Sequence, residues 1–300
     1  MVIVTGYPGY WLVKAIASAL RAEQVDVLEK TFPDGEVYVR LTEPEKVVSK
    51  DVIVVSTLYP EQDKRLFKTL LIVNAVKNSG AGRIIALIPY LAYSRQDKVF
   101  LPGEPVSGCL VSRFLKAAGL DVLVAVDVHS PRVLECFEGK ALNALVPDIL
   151  VSASLRYLEN PVVIAPDKGA LERALAAARA HGLEYDYLVK HRDKLTGSVT
   201  YSPRELNVEG RDVVIVDDII STGGTVAESA KMLLEKGARR VIVAATHGLL
   251  VGGAVEKLEK AGVTRIILAD TLAIRHEHRI VEYVDVVPRV VKELEEVVSK

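Results

Sequence analysis

The run VVIVDDIISTGGT, Val213 to Thr225, holds the densest chemistry in the chain. An apolar, β-branched strand leads into two adjacent carboxylates, Asp217 and Asp218. A loop of small residues follows, Ser221, Thr222, Gly223, Gly224 and Thr225, and opens a helix. Small residues let backbone N–H groups approach a phosphate, and the helix N-terminus adds its positive end. That end contributes about 0.3–1 kcal/mol when exposed and up to ~2 when partly buried. Two carboxylates repel a phosphate, so their place beside it makes sense only if the ligand also offers hydroxyls or a metal. A sugar phosphate meets both demands. A lone Asp pair would be a strand cap and a lone TGG a turn, but the whole ordered run is more than either.

Further polar segments sit at the ends of other apolar runs. APDKGA, Ala165 to Ala170, repeats the order of strand, acid, Gly and helix start: Asp167 could hold a metal, and Lys168, Gly169 and Ala170 could form an anion turn. YSRQDK, Tyr93 to Lys98, follows RIIALIP. There Arg95 offers donors to phosphate oxygens or an aromatic stack, and Gln96 can read a base edge. In AVDVHS, His129 lies just past a strand, where a ring nitrogen could ligate a metal or bond a phosphate, although a lone His is more often structural. FPDGEVYVR places a Pro33-Asp34-Gly35 turn before an alternating strand and by itself reads as a hairpin-like loop. LVKHRDKLTGS, Leu188 to Ser198, carries Lys190 and Arg192 and by itself reads as a solvated basic loop.

The elements that must position these residues follow one grammar. Strands are expected at 52–56, 83–89 and 122–127, and others ending at Asp167, Asp218, Thr246 and Asp270. Helical patterns lie between them at 65–78, 106–118, 170–181 and 226–235, and Gly119, Gly182 and Gly237 stand where a left-handed cap is needed. The alternation predicts an α/β fold with mainly parallel sheets flanked by helices. Two halves with similar element counts predict two domains, 1–146 and 147–300, joined near Asn143 to Pro147. A last helix from Pro288 has Val290, Val291, Leu294, Val297 and Val298 on one side and is free to pack on either half.

Composition narrows the classes. Of 300 residues, half are hydrophobic, enough for a sizeable core. A balance of 38 basic and 39 acidic side chains gives no global field for nucleic acid or an anionic membrane. No uncharged run reaches the ~20 residues of a membrane span, and the start of the chain does not read as a secretory signal. Cys109 and Cys136 are too few and too separated for a disulfide framework or zinc site, which predicts buried free thiols and a cytoplasmic protein. Cys, Met, Asn and Gln together number only 12, which leans towards a heat-adapted source.

The run from Asp217 to Thr225 resembles the phosphoribosyl diphosphate (PRPP) loop of the type I phosphoribosyltransferases and PRPP synthetases. FPDGE, YSRQD, DVHS, PDKGA and VDDIISTGGT, taken in this order across nearly the whole chain, resemble the ribose-phosphate diphosphokinases. That resemblance implies two tandem phosphoribosyltransferase-like domains with the active site where they meet. It also implies transfer of the β,γ-diphosphoryl group of ATP to the 1-hydroxyl of ribose 5-phosphate, with release of AMP. By position, Phe32, Asp34, Gly35 and Glu36 would hold adenine, often from a neighbouring subunit, and Arg95 and Gln96 would bind ATP. His129 and Asp167 would serve Mg2+, and Lys168 to Ala170 would form a diphosphate loop. Lys190 and Arg192 would be catalytic, Arg192 also contacting ribose 5-phosphate. Asp217 and Asp218 would face the ribose, and Ser221 to Thr225 would cradle the 5-phosphate. Many members have an acid in place of Ser221, often a basic residue in place of His191, and some have a second His beside His129. The implied partners are the two substrates and further copies of the chain, as a dimer or multiple of dimers. Two other readings stay open on the residues: a phosphoribosyltransferase, which shares only the PRPP loop, and a non-catalytic regulatory subunit of the synthetase fold.

Overall fold

The computed structural model describes residues 1–6, 10–192, 199–203 and 207–298, and of residues 190–192 and 199–203 the backbone alone. The chain forms two compact units. One is Met1–Ala144 with Thr271–Ala273 and Val287–Lys300, and the other is Leu145–Asp270 with Ile274–Val286.

The first unit runs β1 (Val2–Thr5), α1 (Trp11–Leu20), β2 (Glu23–Thr31), β3 (Val37–Leu41), β4 (Asp51–Val55), α2 (Gln62–Asn78), β5 (Arg83–Ile88), α3 (Ser107–Ala118), β6 (Val122–Val126), α4 (Arg132–Glu135) and β7 (Lys140–Ala144). Its sheet has the order β3-β2-β1-β4-β5-β6-β7, parallel except for the β2–β3 hairpin. Val2 to Val4, Val52 to Val55 and Ile84 to Ile88 are buried along their length, because helices cover both faces of a parallel sheet. Towards the edge the pattern changes to period two: on β2, Val25 and Val27 point inward between exposed Gln-, Asp- and Leu-bearing positions.

The second unit runs α5 (Pro147–Leu155), β8 (Pro161–Ala165), α6 (Leu171–His181), β9 (Tyr185–Arg192), β10 (Val199–Pro203), β11 (Asp212–Ile220), α7 (Gly224–Glu235), β12 (Arg240–Gly248), α8 (Ala254–Lys260), β13 (Val263–Ala269) and β14 (Val281–Val284). Its order, β10-β9-β8-β11-β12-β13-β14, is that of the first sheet with every label raised by seven. The topology is therefore duplicated. In each sheet the strand order reverses once, between β1 and β4 and between β8 and β11. Open α/β sheets bind ligands beyond the carboxyl ends of the strands at such a switch point. The last helix, α9 (Val287–Val298), returns to the first unit and buries Val287, Val290, Leu294 and Val297. Main-chain oxygens near its end accept from Arg83 and Lys140.

Two sequence expectations need correction. Cys109 and Cys136 are joined in a disulfide, not free. They are 27 residues apart in sequence, but the crossover from α3 through β6 brings α4 back against α3, where Ser112 Oγ donates to the Val133 carbonyl at 2.7 Å. The Cα atoms then stand 5.1 Å apart, within bonding reach. The strand expected to end at Asp218 continues to Ile220, since Ile219 and Ile220 remain in parallel register with His247 and Gly248. No helix among the described residues is long and apolar enough to cross a membrane.

Candidate active site

The switch point of the second sheet collects two of the expected segments, the turn after β8 and the acid-to-loop run of β11. β8 and β11 pair in parallel from Pro161↔Asp212 to Ile164↔Ile215, so the turn after β8 and the acids late in β11 emerge side by side. Asp218 is buried, and its backbone N–H donates to Asp217 Oδ1 at 2.9 Å. The Asp217 carboxyl is raised well above its ordinary value, first by desolvation, then by the charge of Asp218 and, more weakly, by Asp167. The adjacent pair, with a weaker contribution from Asp167, forms a negative field that a cation or a set of hydroxyl donors relieves.

After Ile220 the chain turns through Ser221 to Thr225 into α7, with Gly223 as its N-cap at φ +69°. The carbonyls of this loop are engaged: Ser221 O accepts from the Val251 N–H, Thr222 O from Lys257 Nζ at 2.8 Å, and Gly223 O from the Ala227 N–H. By contrast, the N–H groups of Thr222, Gly223, Gly224 and Thr225 donate to no described residue. A fixed loop with oxygens held from behind and unspent N–H groups suits an oxyanion.

The turn after β8 is built from its own acid. Asp167 Oδ1 accepts the N–H groups of Gly169 at 2.7 Å and Ala170 at 3.2 Å, just ahead of α6, which leaves Oδ2 for a ligand. A Cβ on Gly169 would stand 3.0 Å from that same Oδ1, so glycine keeps the turn closed. Lys168 and Gly169 are exposed. Lys190 and Arg192 lie on β9, in antiparallel register with Tyr201 and Val199 of β10. The segment read as a loop therefore begins as strand, and its remainder, residues 193–198, lies outside the described residues.

One neighbour of the acids escaped the sequence reading. Arg173 of α6 places Nη2 3.9 Å from Asp218 Oδ2, both side chains being largely buried. Its separation of four from buried Ala177 puts this arginine on the inward stripe of α6, a signal that was there to be read.

In the first unit, the residues Phe32 to Glu36 form the tip of the β2–β3 hairpin, all five exposed. The tip is closed by Phe32 N–H to Glu36 O at 2.7 Å, Gly35 N–H to Phe32 O, and Glu36 N–H to Asp34 Oδ1. Phe32 meets Tyr38 edge-on, with Lys30 Nζ 4.4 Å from the Phe32 ring centre. The loops after β5 and β6 are fastened together by Ser130 Oγ donating to Asp97 Oδ2 at 2.7 Å, and Gln96 is held to the start of α3, where Ser107 Oγ donates to its Oε1 at 2.6 Å. Arg95 and His129 are exposed on these two linked loops. The structure thus groups Arg95, Gln96 and His129 in the first unit, and Asp167 to Ala170 with Asp217 to Thr225 in the second.

Residues 1–119 match the family model for the N-terminal domain of ribose phosphate pyrophosphokinase, and residues 139–283 that for the phosphoribosyl transferase domain. A ribose-phosphate pyrophosphokinase of Aeropyrum pernix is 42% identical over 272 residues, 90% of this chain and 87% of that protein. The chain belongs to the ribose-phosphate pyrophosphokinase family. A further member, from Sulfurisphaera tokodaii, is 38% identical over 297 residues, 98% of this chain and 100% of that one. The crystal structure of phosphoribosylpyrophosphate synthetase from Mycobacterium smegmatis matches with a TM-score of 0.90 at 29% identity, over 99% of this chain and 98% of the other. The family and fold class read from the ordered motifs agree with these matches.

Family membership also raises the question of a divalent metal. Among the described residues, no three His, Cys, Asp or Glu side chains are grouped to cage an ion. The Asp167 Oδ2 that the turn leaves open is a hard oxygen donor of the kind a divalent cation takes.

Proposed function

We propose that this chain is a ribose-phosphate diphosphokinase. The 1-oxygen of ribose 5-phosphate attacks the β-phosphorus of ATP and forms a new O–P bond. The bond from that phosphorus to the α-β bridging oxygen breaks, and AMP leaves. The hydroxyl proton passes to water or to a substrate phosphate, since no side chain is required as base. The observation that carries this reading is the set of unspent N–H groups from Thr222 to Thr225, directly after an acid pair at the switch point of the second sheet.

In this scheme Ser221 to Thr225 hold the 5-phosphate, while Asp217 and Asp218 accept hydrogen bonds from the ribose hydroxyls. Those donors favour the ionised form of Asp217 that its surroundings oppose. On the turn of Lys168 to Ala170, which Asp167 holds closed through the Gly169 and Ala170 N–H groups, exposed Lys168 offers its ammonium group to the diphosphate. Lys190 and Arg192 supply positive charge to the transferring group, and Arg192 also meets the sugar phosphate. Catalysis of this kind is mainly positioning and charge compensation. Magnesium, for which Asp167 and His129 are candidate ligands, would neutralise charge on the phosphate oxygens. Arg95 and Gln96 bind ATP. Phe32 stacks on adenine, while Asp34, Gly35 and Glu36 meet its polar edge. Their exposure at a sheet-edge hairpin supports use by a neighbouring copy, hence a dimer or multiple of dimers.

Incubating purified protein with ATP, magnesium and ribose 5-phosphate and separating the nucleotides tests the reading. AMP and PRPP in equal amounts are expected. Formation of ADP would make it an ordinary kinase, and nucleotide formed from PRPP and a free nucleobase would make it a transferase.

A further inference from the structure

A second cationic pocket lies on the opposite edge of the second sheet. It is a cavity of about 390 Å³ lined by Tyr157, Arg240, Thr264, Arg265, Arg279 and Ile280. Arg240 opens β12 and Arg265 is the third residue of β13, so the cavity is at the amino ends of these strands. The phosphate loop follows the carboxyl end of neighbouring β11. A nine-residue strand at ~3.3 Å per residue separates the two edges by roughly 26 Å.

The lining contains three guanidiniums and no carboxylate. Arg240 donates to the Tyr157 carbonyl, at the carboxyl end of α5, and Arg265 Nη1 donates to the Arg279 carbonyl at 2.6 Å. Helix capping explains one such contact, but a carbonyl occupies one of five N–H donors and cancels no charge. Among the described residues, Arg279 forms an ion pair with Glu259, while Arg240 lies within electrostatic reach of Asp212. Just outside, Arg156 is matched by Glu282. With Asp212 held at 2.6 Å by Arg239, and Arg265 paired to no acid among the described residues, the lining keeps a net positive character.

The forks are also preorganised. The Arg265 guanidinium lies 5.1 Å from the Tyr157 ring centre, with Arg156 at 4.9 Å. The phenol is anchored in turn to Glu282 Oε2 at 2.7 Å. Arg240 and Arg265 are half-buried, so a bound anion would meet partly desolvated donors. The lining offers neither an unoccupied aromatic ring nor more than one aliphatic side chain, Ile280, which disfavours a nucleobase.

We propose that this cavity binds a compact phosphorylated anion, of the size of diphosphate or a sugar phosphate, separately from the phosphate loop. The proposal stands independently of the catalytic reading, because it uses none of the same residues.

Titration calorimetry of the full chain with inorganic diphosphate, without magnesium, tests it. One binding class should survive in the Arg240→Gln/Arg265→Gln variant and a second should weaken about tenfold for each guanidinium removed. KM values for ATP and ribose 5-phosphate should remain those of the unmodified protein. Identical isotherms for the two proteins would overturn the proposal. Should the variant fold poorly, arginine labelling of the unmodified protein with phenylglyoxal decides. Diphosphate should protect Arg240 and Arg265 several-fold, and equal labelling with and without it would overturn the assignment.

Discussion

Replacing Gly223 by alanine perturbs the phosphate loop in a way that can be worked out beforehand. Gly223 sits at φ +69°, and a Cβ there would stand 3.3 Å from Leu258 Cγ and 3.4 Å from the Ala254 carbonyl oxygen. A left-handed backbone costs a non-glycine residue roughly 1–2 kcal/mol. Pressing a methyl group into packed α8 adds about 1 kcal/mol or more. Gly210 provides the control: its φ is +68°, but a Cβ would find no atom within 4 Å. Urea unfolding of the ligand-free protein should show Gly210→Ala losing about 1–2 kcal/mol and Gly223→Ala about 2–4 kcal/mol, the difference measuring the contact alone. Function should separate the two further. If the loop yields and one charge-assisted hydrogen bond to the 5-phosphate is lost, ~1.5–3 kcal/mol disappears and KM for ribose 5-phosphate rises by roughly ten- to hundredfold. Gly210→Ala should leave that KM alone. Full destabilisation of Gly223→Ala with an unchanged KM would refute the loop as phosphate cradle, and equal destabilisation of the two variants would refute the packing argument.

Three more outcomes follow from other parts of the molecule. Lys190→Ala should lower kcat by about 10²–10³ with little change in KM for ATP, as for removal of a donor worth ~3–4 kcal/mol in the transition state; initial-rate kinetics checks this. Asp217 binds its proton more tightly folded than unfolded, so its ionisation costs stability as pH rises from the ordinary carboxylate range through the raised value. Asp217→Asn should therefore raise the Tm of the ligand-free protein at neutral pH, lose that advantage below the ordinary carboxylate range, and abolish activity; a lower neutral Tm contradicts the assignment. Cys109→Ala/Cys136→Ala opens a loop of 27 residues' separation, for which chain entropy gives about 3.5 kcal/mol, and denaturant unfolding should register a loss of that order.

Much of the architecture was legible because central strands of a covered parallel sheet must be apolar on both faces. The unbroken runs at 52–55, 84–88, 122–126, 213–216 and 241–245 are all buried. Strands at the far edge carry no such mark: KALNA of β7 and VEYV of β14 become strands by pairing with Val122 to Val126 and Ile266 to Ala269. The same division holds for the candidate site. Its local segments, acid then small loop then helix, are written contiguously from Val213 to Thr225. The ties between segments are not. Asp97 and Ser130 are separated by 33 residues and Asp218 and Arg173 by more, and the disulfide depends on the same long-range return of the chain.

The duplicated topology shows how little the fold itself decides. In the first sheet the place equivalent to the phosphate loop follows β4, where the residues are Ser56, Thr57, Leu58, Tyr59, Pro60 and Glu61. There the Ser56 N–H already bonds the Leu87 carbonyl and the Leu58 N–H the Tyr90 carbonyl, and Pro60 has no N–H to give. Leu58 and Tyr59 are buried, filling space that a phosphate would need. After β11 the same backbone plan presents four unspent N–H groups and two acids. An identical strand order thus yields a packed loop in one half and an anion cradle in the other. Grafting Ser221–Thr225 into the first unit should not create a second phosphate site unless Tyr59 and Pro60 are also removed, because spent donors and buried side chains, not strand order, exclude the ligand there. Ribose 5-phosphate titrations of both grafts would show it, and a second site in the simple graft would refute the argument.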